Sequence, residues 1–134
     1  MGIDLGDVRT GVALSDPSGR MAFGVCTLTE HVEEKLLARL VSLAKEKEAE
    51  TVVFGLPVNM DGSKGERARK VEAFAGRFNE LSGCPVAFAD ERLSTVLAHK
   101  ILNETNTRGK KRKNVVDTLS AEIILQGYLD KTAN

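Results

Sequence analysis

Four acidic side chains stand at positions where chemistry is a stronger explanation than solvation: Asp4, Asp90, Glu91 and Asp117. Asp4 interrupts the apolar opening Ile3-Asp4-Leu5, where a buried carboxylate is costly without a ligand or partner. Asp90 and Glu91 follow the apolar run from Val86 to Ala89, at the carboxyl edge where open sheets place their ligands. Asp117 falls early in the last amphipathic segment, where a helix dipole alone would favour an acid. Ser120, Ala121 and Ile124 follow at three, four and seven residues, however, so Asp117 extends a stripe that faces inward. Carboxylates converging from separate elements can hold two divalent ions about 3.5–4 Å apart, one activating water and one stabilising the leaving oxygen of a phosphodiester. Magnesium suits such a set because it takes few carboxylates and keeps its waters, and manganese can replace it. Strand alternation sends Asp90 and Glu91 to opposite faces, so only one can join Asp4; Glu91 is preferred and Asp90 is the alternative.

Two segments could meet phosphate. The loop Gly55-Leu56-Pro57-Val58-Asn59-Met60-Asp61-Gly62-Ser63 feeds a helix N-terminus, a natural anion site, although it has no Walker lysine spacing. Five of the six residues from Arg108 to Lys113 are basic, and Lys110, Lys111, Arg112 and Lys113 could neutralise several phosphates of a nucleic acid. His31 and His99 lack neighbours that would make them ligands or bases, and Cys26 and Cys84 have no zinc spacing and suit buried thiols.

The elements that must position these residues follow from periodicity. Ile3 to Leu5, Gly11 to Ser15 and Met21 to Leu28 are short runs separated by turn residues and predict an antiparallel meander. Residues 32–48 carry Leu36, Leu37, Leu40 and Ala44 at helical spacing. Thr51 to Gly55 is apolar throughout and β-branched, as in a strand buried on both faces. A second helix carries Val71, Phe74, Ala75, Phe78 and Leu81, opens on a Ser63/Glu66 capping box and stops at Gly83. A fifth strand spans Val86 to Ala89, a third helix Ser94 to about Glu104, and Asn114 caps a last helix beyond the basic loop. The βαβ unit over residues 50–89 demands a parallel pair with a right-handed crossover. The expected fold is α/β: a mixed five-stranded sheet, strands 1–3 antiparallel and strands 4 and 5 parallel, flanked by about four helices.

A chain of 134 residues is expected to form a single domain, 1–134. Its net charge of zero excludes a global basic field, so any nucleic-acid affinity must come from local patches. No apolar run reaches membrane-spanning length and no secretory signal opens the chain, so a cytoplasmic location and no membrane partner are expected.

The opening Gly-Ile-Asp-Leu-Gly-x-x-Arg-x-Gly-Val-Ala-Leu-Ser-Asp, from Gly2 to Asp16, resembles that of the YqgF/RuvX family. So do Gly55 to Ser63 with Gly65, Arg67 and Ala68; Asp90-Glu91-Arg92-Leu93-Ser94-Thr95; and Asp117 through Ala121 with Ile124, Leu125 and Leu129. The resemblance implies an RNase H-like fold and a nuclease for maturation of the 5′ end of pre-16S rRNA or for Holliday junction resolution. It also implies that Asp4, Glu91 and Asp117 form an acidic triad that binds Mg²⁺ or Mn²⁺, and that Arg9, Asn59, Asp61 and Arg67 contact substrate phosphates. Relative to the junction resolvases of this fold, no acid ends the fourth strand, so Glu91 must reach across one extra strand spacing of about 4.8 Å.

The partner is therefore expected to be nucleic acid, either structured RNA such as pre-16S rRNA or branched DNA, bound by a monomer or homodimer. Two other readings compete. A non-catalytic nucleic-acid-binding ribosome-assembly factor would keep the fold without turnover. A phosphate-binding module of the actin-like ATPase or sugar-kinase kind shares the Gly-Ile-Asp-Leu-Gly opening, but needs a second lobe that 134 residues do not supply.

Overall fold

In a computed structural model of the chain, residues 1–91, 101 and 109–132 are described. Strands β1 (Gly2–Asp4), β2 (Arg9–Ser15) and β3 (Ala22–Thr29) form the meander. Helix α1 (Glu33–Glu46), strand β4 (Val52–Leu56), helix α2 (Glu66–Ser82) and strand β5 (Val86–Asp90) follow, and helix α3 (Gly109–Thr132) ends the described chain. The strand order is β3-β2-β1-β4-β5. β1 pairs antiparallel with β2 and parallel with β4, and β4 pairs parallel with β5. The short first strand therefore lies at the centre, held from both sides.

Sheet alternation divides the core in two. Ile3, Val12, Phe54 and Leu56 pack with Leu36, Leu37 and Leu40 of α1 and with Val71, Phe74 and Phe78 of α2. Ala13, Ala22 and Val53 pack on the opposite face with Ala121, Ile124 and Leu125 of α3. β4 is buried at every residue, as its unbroken apolar composition requires. Phe54 meets Phe74 and Phe78 edge-on, at centroid distances of 6.1 and 5.7 Å.

Two local expectations need correction. The Ser63/Glu66 capping box does not form: Gly65 is the N-cap of α2 and no side chain caps it. Ser63 instead donates its backbone N–H and its hydroxyl to Asp61 Oδ1, at 2.9 and 2.6 Å, and this local turn outcompetes the cap. Nor does Asn114 cap the last helix, which begins at Gly109 and takes Lys110, Lys111, Arg112 and Lys113 into its first turns. Lysine and arginine are good helix formers, so once the helix starts it absorbs the basic stretch. Gly83 does end α2, with φ 73° in the left-handed region. Three helices are present among the described residues, and the helix expected from Ser94 to Glu104 falls almost wholly outside them.

Candidate active site

The site is built on the α3 face of the sheet, at the carboxyl end of β1. The chain's first ammonium group donates to Thr51 O at 2.9 Å, and Met1 O accepts the Val53 N–H at 2.8 Å. These contacts fasten the strand three residues ahead of Asp4. Asp4 is paired in register with Gly11 of β2. A Cβ on Gly11 would lie 2.0 Å from the carbonyl oxygen of Asp117, a distance no side chain tolerates. Glycine there lets α3 cross β2 almost backbone to backbone, and this carries Asp117 to the site.

Glu91 arrives from further away. Its residue follows β5 directly, its N–H donates to Leu56 O at 3.3 Å, and β4 lies between β5 and β1. A Cβ at Gly55, on β4, would stand 2.5 Å from Glu91 Oε2 and 2.4 Å from Ile124 Cδ1. Because that Cβ is missing, the Glu91 carboxyl lies over bare backbone and hydrogen-bonds the Asp4 carboxyl. The extra strand spacing is thus bridged by a glycine. Asp90 points to the other face, as alternation requires: its register partner Leu56 packs with α1 and α2, whereas Ala89 packs on the α3 side.

Burial and mutual repulsion govern the pair. Desolvation first, and the Asp4 charge second, push the Glu91 carboxyl from its ordinary 4.5 up to about 8. Asp4 is also raised, chiefly by desolvation and further by Asp117, while the bond to Glu91 and the Arg67 charge oppose the shift. Both shifts run in the direction that favours a protonated carboxyl within the pair. Burial raises Asp117 as well, against the pull of Arg9, whose Nε lies 2.8 Å from Asp117 Oδ2.

Asp4, Gly6, Arg9, Arg67, Glu91 and Asp117 line an open cleft of about 610 Å³. Arg67 stands at its edge, with its guanidinium 3.4 Å from Asp7 Oδ2 and 3.5 Å from Leu5 O. Of the residues expected from the sequence, Asp4, Glu91, Asp117, Arg9 and Arg67 thus share one cleft. Asn59 and Asp61 do not line it; Asn59 Nδ2 donates to Ser63 Oγ at 3.0 Å, which folds their loop onto itself. The backbone of Lys110 to Lys113 lies in the first turns of α3, and their side chains lie outside the described set. Asp4, Glu91 and Asp117 all line the cleft, with Asp117 ion-paired to Arg9. Among the described residues no three acidic, histidine or cysteine side chains come close enough to share a cation. Asp117 is turned to Arg9, and the Glu91 and Asp4 carboxyls are hydrogen-bonded to each other. The Asp4–Glu91 pair nevertheless fits a divalent cation, being two buried carboxyls in contact that offer the oxygen donors magnesium and manganese take.

Sequence reasoning missed Gly11 and Gly55 as determinants of the site. A glycine inside an otherwise β-branched, fully buried run was the available signal for Gly55, since it marks a close approach of another group. The Arg9–Asp117 pair had no such signal, because its partners lie on β2 and α3.

A central strand with an acid at its carboxyl end, a meander on one side and parallel strands on the other, is the RNase H-like fold. Among solved structures, Thermus thermophilus RuvC in complex with Holliday junction substrate matches 99% of this chain and 94% of its own, with TM-score 0.60 at 15% identity. Fowlpox virus resolvase, solved with Holliday junction DNA, matches 99% of this chain and 97% of its own, with TM-score 0.55 at 11% identity. A Ruminiclostridium cellulolyticum protein named "Putative pre-16S rRNA nuclease" is 42% identical over 99% of this chain and 94% of its own length. Its namesake from Clostridioides difficile is 45% identical over 100% and 95%. The family model described as "RuvX: Holliday junction resolvase" matches residues 1–131, and the chain belongs to that family.

Proposed function

We propose that this protein is a metal-dependent endonuclease that hydrolyses phosphodiester bonds and matures the 5′ end of pre-16S rRNA. The observation that carries the reading is the Asp4–Glu91 pair, closed across Gly55 in an open cleft that also holds Asp117, Arg9 and Arg67. Structural burial gives no reason to bring three acids and two arginines together there, whereas phosphodiester cleavage uses both kinds of group. The names of the relatives favour pre-16S rRNA as substrate.

Asp4 and Glu91 would hold Mg²⁺ or Mn²⁺, which supplies a bound water of lowered pKa and a positive charge beside the scissile phosphate. Glu91 must first give up its proton, and a cation beside it favours that loss. Arg9 and Arg67 bind phosphate oxygens. A phosphate that takes the Arg9 guanidinium releases the Asp117 carboxylate toward the cleft, so substrate binding and completion of the acidic set are one event. Lys110, Lys111, Arg112 and Lys113 add phosphate contacts from the start of α3, and Asn59 does so from the loop before α2, whose turn Asp61 holds through Ser63.

A second reading is supported by the family description and by the fold neighbours solved with junction DNA: cleavage of four-way DNA junctions by the same residues. Depleting the protein separates the two. Precursor 16S rRNA with an uncut 5′ end accumulates under the first reading. Normal rRNA processing, with purified protein cutting a four-way junction, supports the second.

A further inference from the structure

Beside the acidic cleft lies a second cavity of about 250 Å³, on the other side of the β1–β2 turn. The two share Leu5, Gly6, Asp7 and Arg67 as a common wall. Arg67 is therefore a partition as well as a phosphate ligand: its bonds to Asp7 and Leu5 O fix the turn between the cavities. The floor of the second cavity is apolar, formed by Leu36 of α1 and by Val71 and Phe74 of α2. Its rim mixes Glu30, Glu33 and His31 with Lys70.

We propose that this cavity is a subsite for one unstacked nucleobase of the substrate strand, next to the phosphate that lies in the cleft. The inference rests on the nuclease reading above and adds where a base of the substrate is held. The volume falls at the small end of ligand pockets, enough for one base and too little for a base pair. The cleft carries both Arg9 and Arg67 for the phosphate, whereas the cavity adds Glu30 and Glu33 to its lining. Carboxylate oxygens at the rim accept hydrogen bonds, which suits the N–H edge of guanine, adenine or cytosine. The apolar floor offers a face for the ring, in the manner by which single-stranded bases are recognised once splayed from their stack. Continuity with the cleft supplies the route, because a strand bound to Arg67 by phosphate has its adjoining base within reach of the shared wall.

The test is a methyl NMR titration of the whole protein with a single-stranded trinucleotide carrying a central guanine, and with the same trinucleotide made abasic at that position. Val8 lines only the cleft, whereas Leu36 and Val71 line only the second cavity. The proposal expects the guanine trinucleotide to move all three, the abasic one to move Val8 alone, and affinity to differ by about tenfold. Ala73→Phe, which fills the cavity from its exposed wall without touching the cleft, removes the Leu36 and Val71 shifts and keeps that of Val8. Val8 shifts with Leu36 and Val71 unmoved, or moved equally by both trinucleotides, would overturn the base subsite and leave the nuclease reading intact. If none of the three methyls moves, both readings fail.

Discussion

Glu91 reaches Asp4 across the full width of β4, and it does so over Gly55, where any side chain would stand within 2.5 Å of the Glu91 carboxyl. An acid on β1 and an acid just beyond β5 thus meet because β4, which lies between those strands, is bare at one residue. That arrangement also lets Ile124 of α3 close down beside the pair, so a single glycine serves both the site and the packing of the helix over it.

Gly55→Ala tests this directly. The added methyl must displace Glu91 and Ile124 together, an overpacking that costs about 1–3 kcal/mol in the denaturation free energy. Activity falls much further than stability, because Glu91 no longer reaches Asp4. A variant that keeps wild-type turnover would show that the Glu91 position is not needed.

Gly11→Ala places a methyl 2.0 Å from the Asp117 carbonyl and pushes the whole of α3 off β2. Its cost exceeds that of Gly55→Ala, since backbone must move and the Ala121, Ile124 and Leu125 contacts open. Urea denaturation of the two variants side by side gives the order.

The raised Glu91 and Asp4 carboxyls make stability depend on pH. Glu91 titrates near 4.5 in an unfolded chain and at about 8 in the fold, so the folded state binds the proton more tightly. Its contribution is complete below about pH 4.5 and is lost as pH rises through about 8, and the raised Asp4 adds a slope of the same sign. Chemical denaturation without divalent metal should show stability falling by roughly 1–3 kcal/mol between pH 5 and pH 8.5. Glu91→Gln, which cannot ionise, flattens most of that slope. Added Mn²⁺ restores stability at the alkaline end, where the pair is ionised, and much less at pH 5.

Arg9→Gln separates phosphate binding from metal binding. Removal of the guanidinium frees Asp117, so calorimetry should find Mn²⁺ bound no more weakly than by wild type. The KM for nucleic acid rises, and the slope of log affinity against log salt falls by about one. Weakened Mn²⁺ binding would indicate that Arg9 positions Asp117 as a ligand and does not withhold it.

The sequence carried the antiparallel meander, the parallel β4–β5 pair and the buried character of β4, because each follows from a strict period or from the crossover rule, and alternation set Asp90 and Glu91 on opposite faces without saying which of them meets Asp4. It misplaced the starts of α2 and α3. At Ser63 and at Asn114 two local solutions of similar energy competed, and tertiary context chose between them. Which acids meet was not legible, since that depends on a glycine three strand positions beyond Val52 and on a helix that crosses the sheet. The Arg9–Asp117 pair was hidden for the same reason: residues 108 positions apart in sequence meet through α3 packing, which periodicity alone does not specify.

The central claim is that the Asp4–Glu91 pair supports metal-dependent phosphodiester cleavage. Its most direct measurement is incubation of purified protein with 5′-extended precursor 16S rRNA, with Mg²⁺ or Mn²⁺ and with excess EDTA, alongside Asp4→Asn and Glu91→Gln. The account predicts cutting by wild type with either metal, none with EDTA, and a loss of at least about a hundredfold in both variants. Precursor left intact by wild type in both metals, or cut equally by Asp4→Asn, would contradict it.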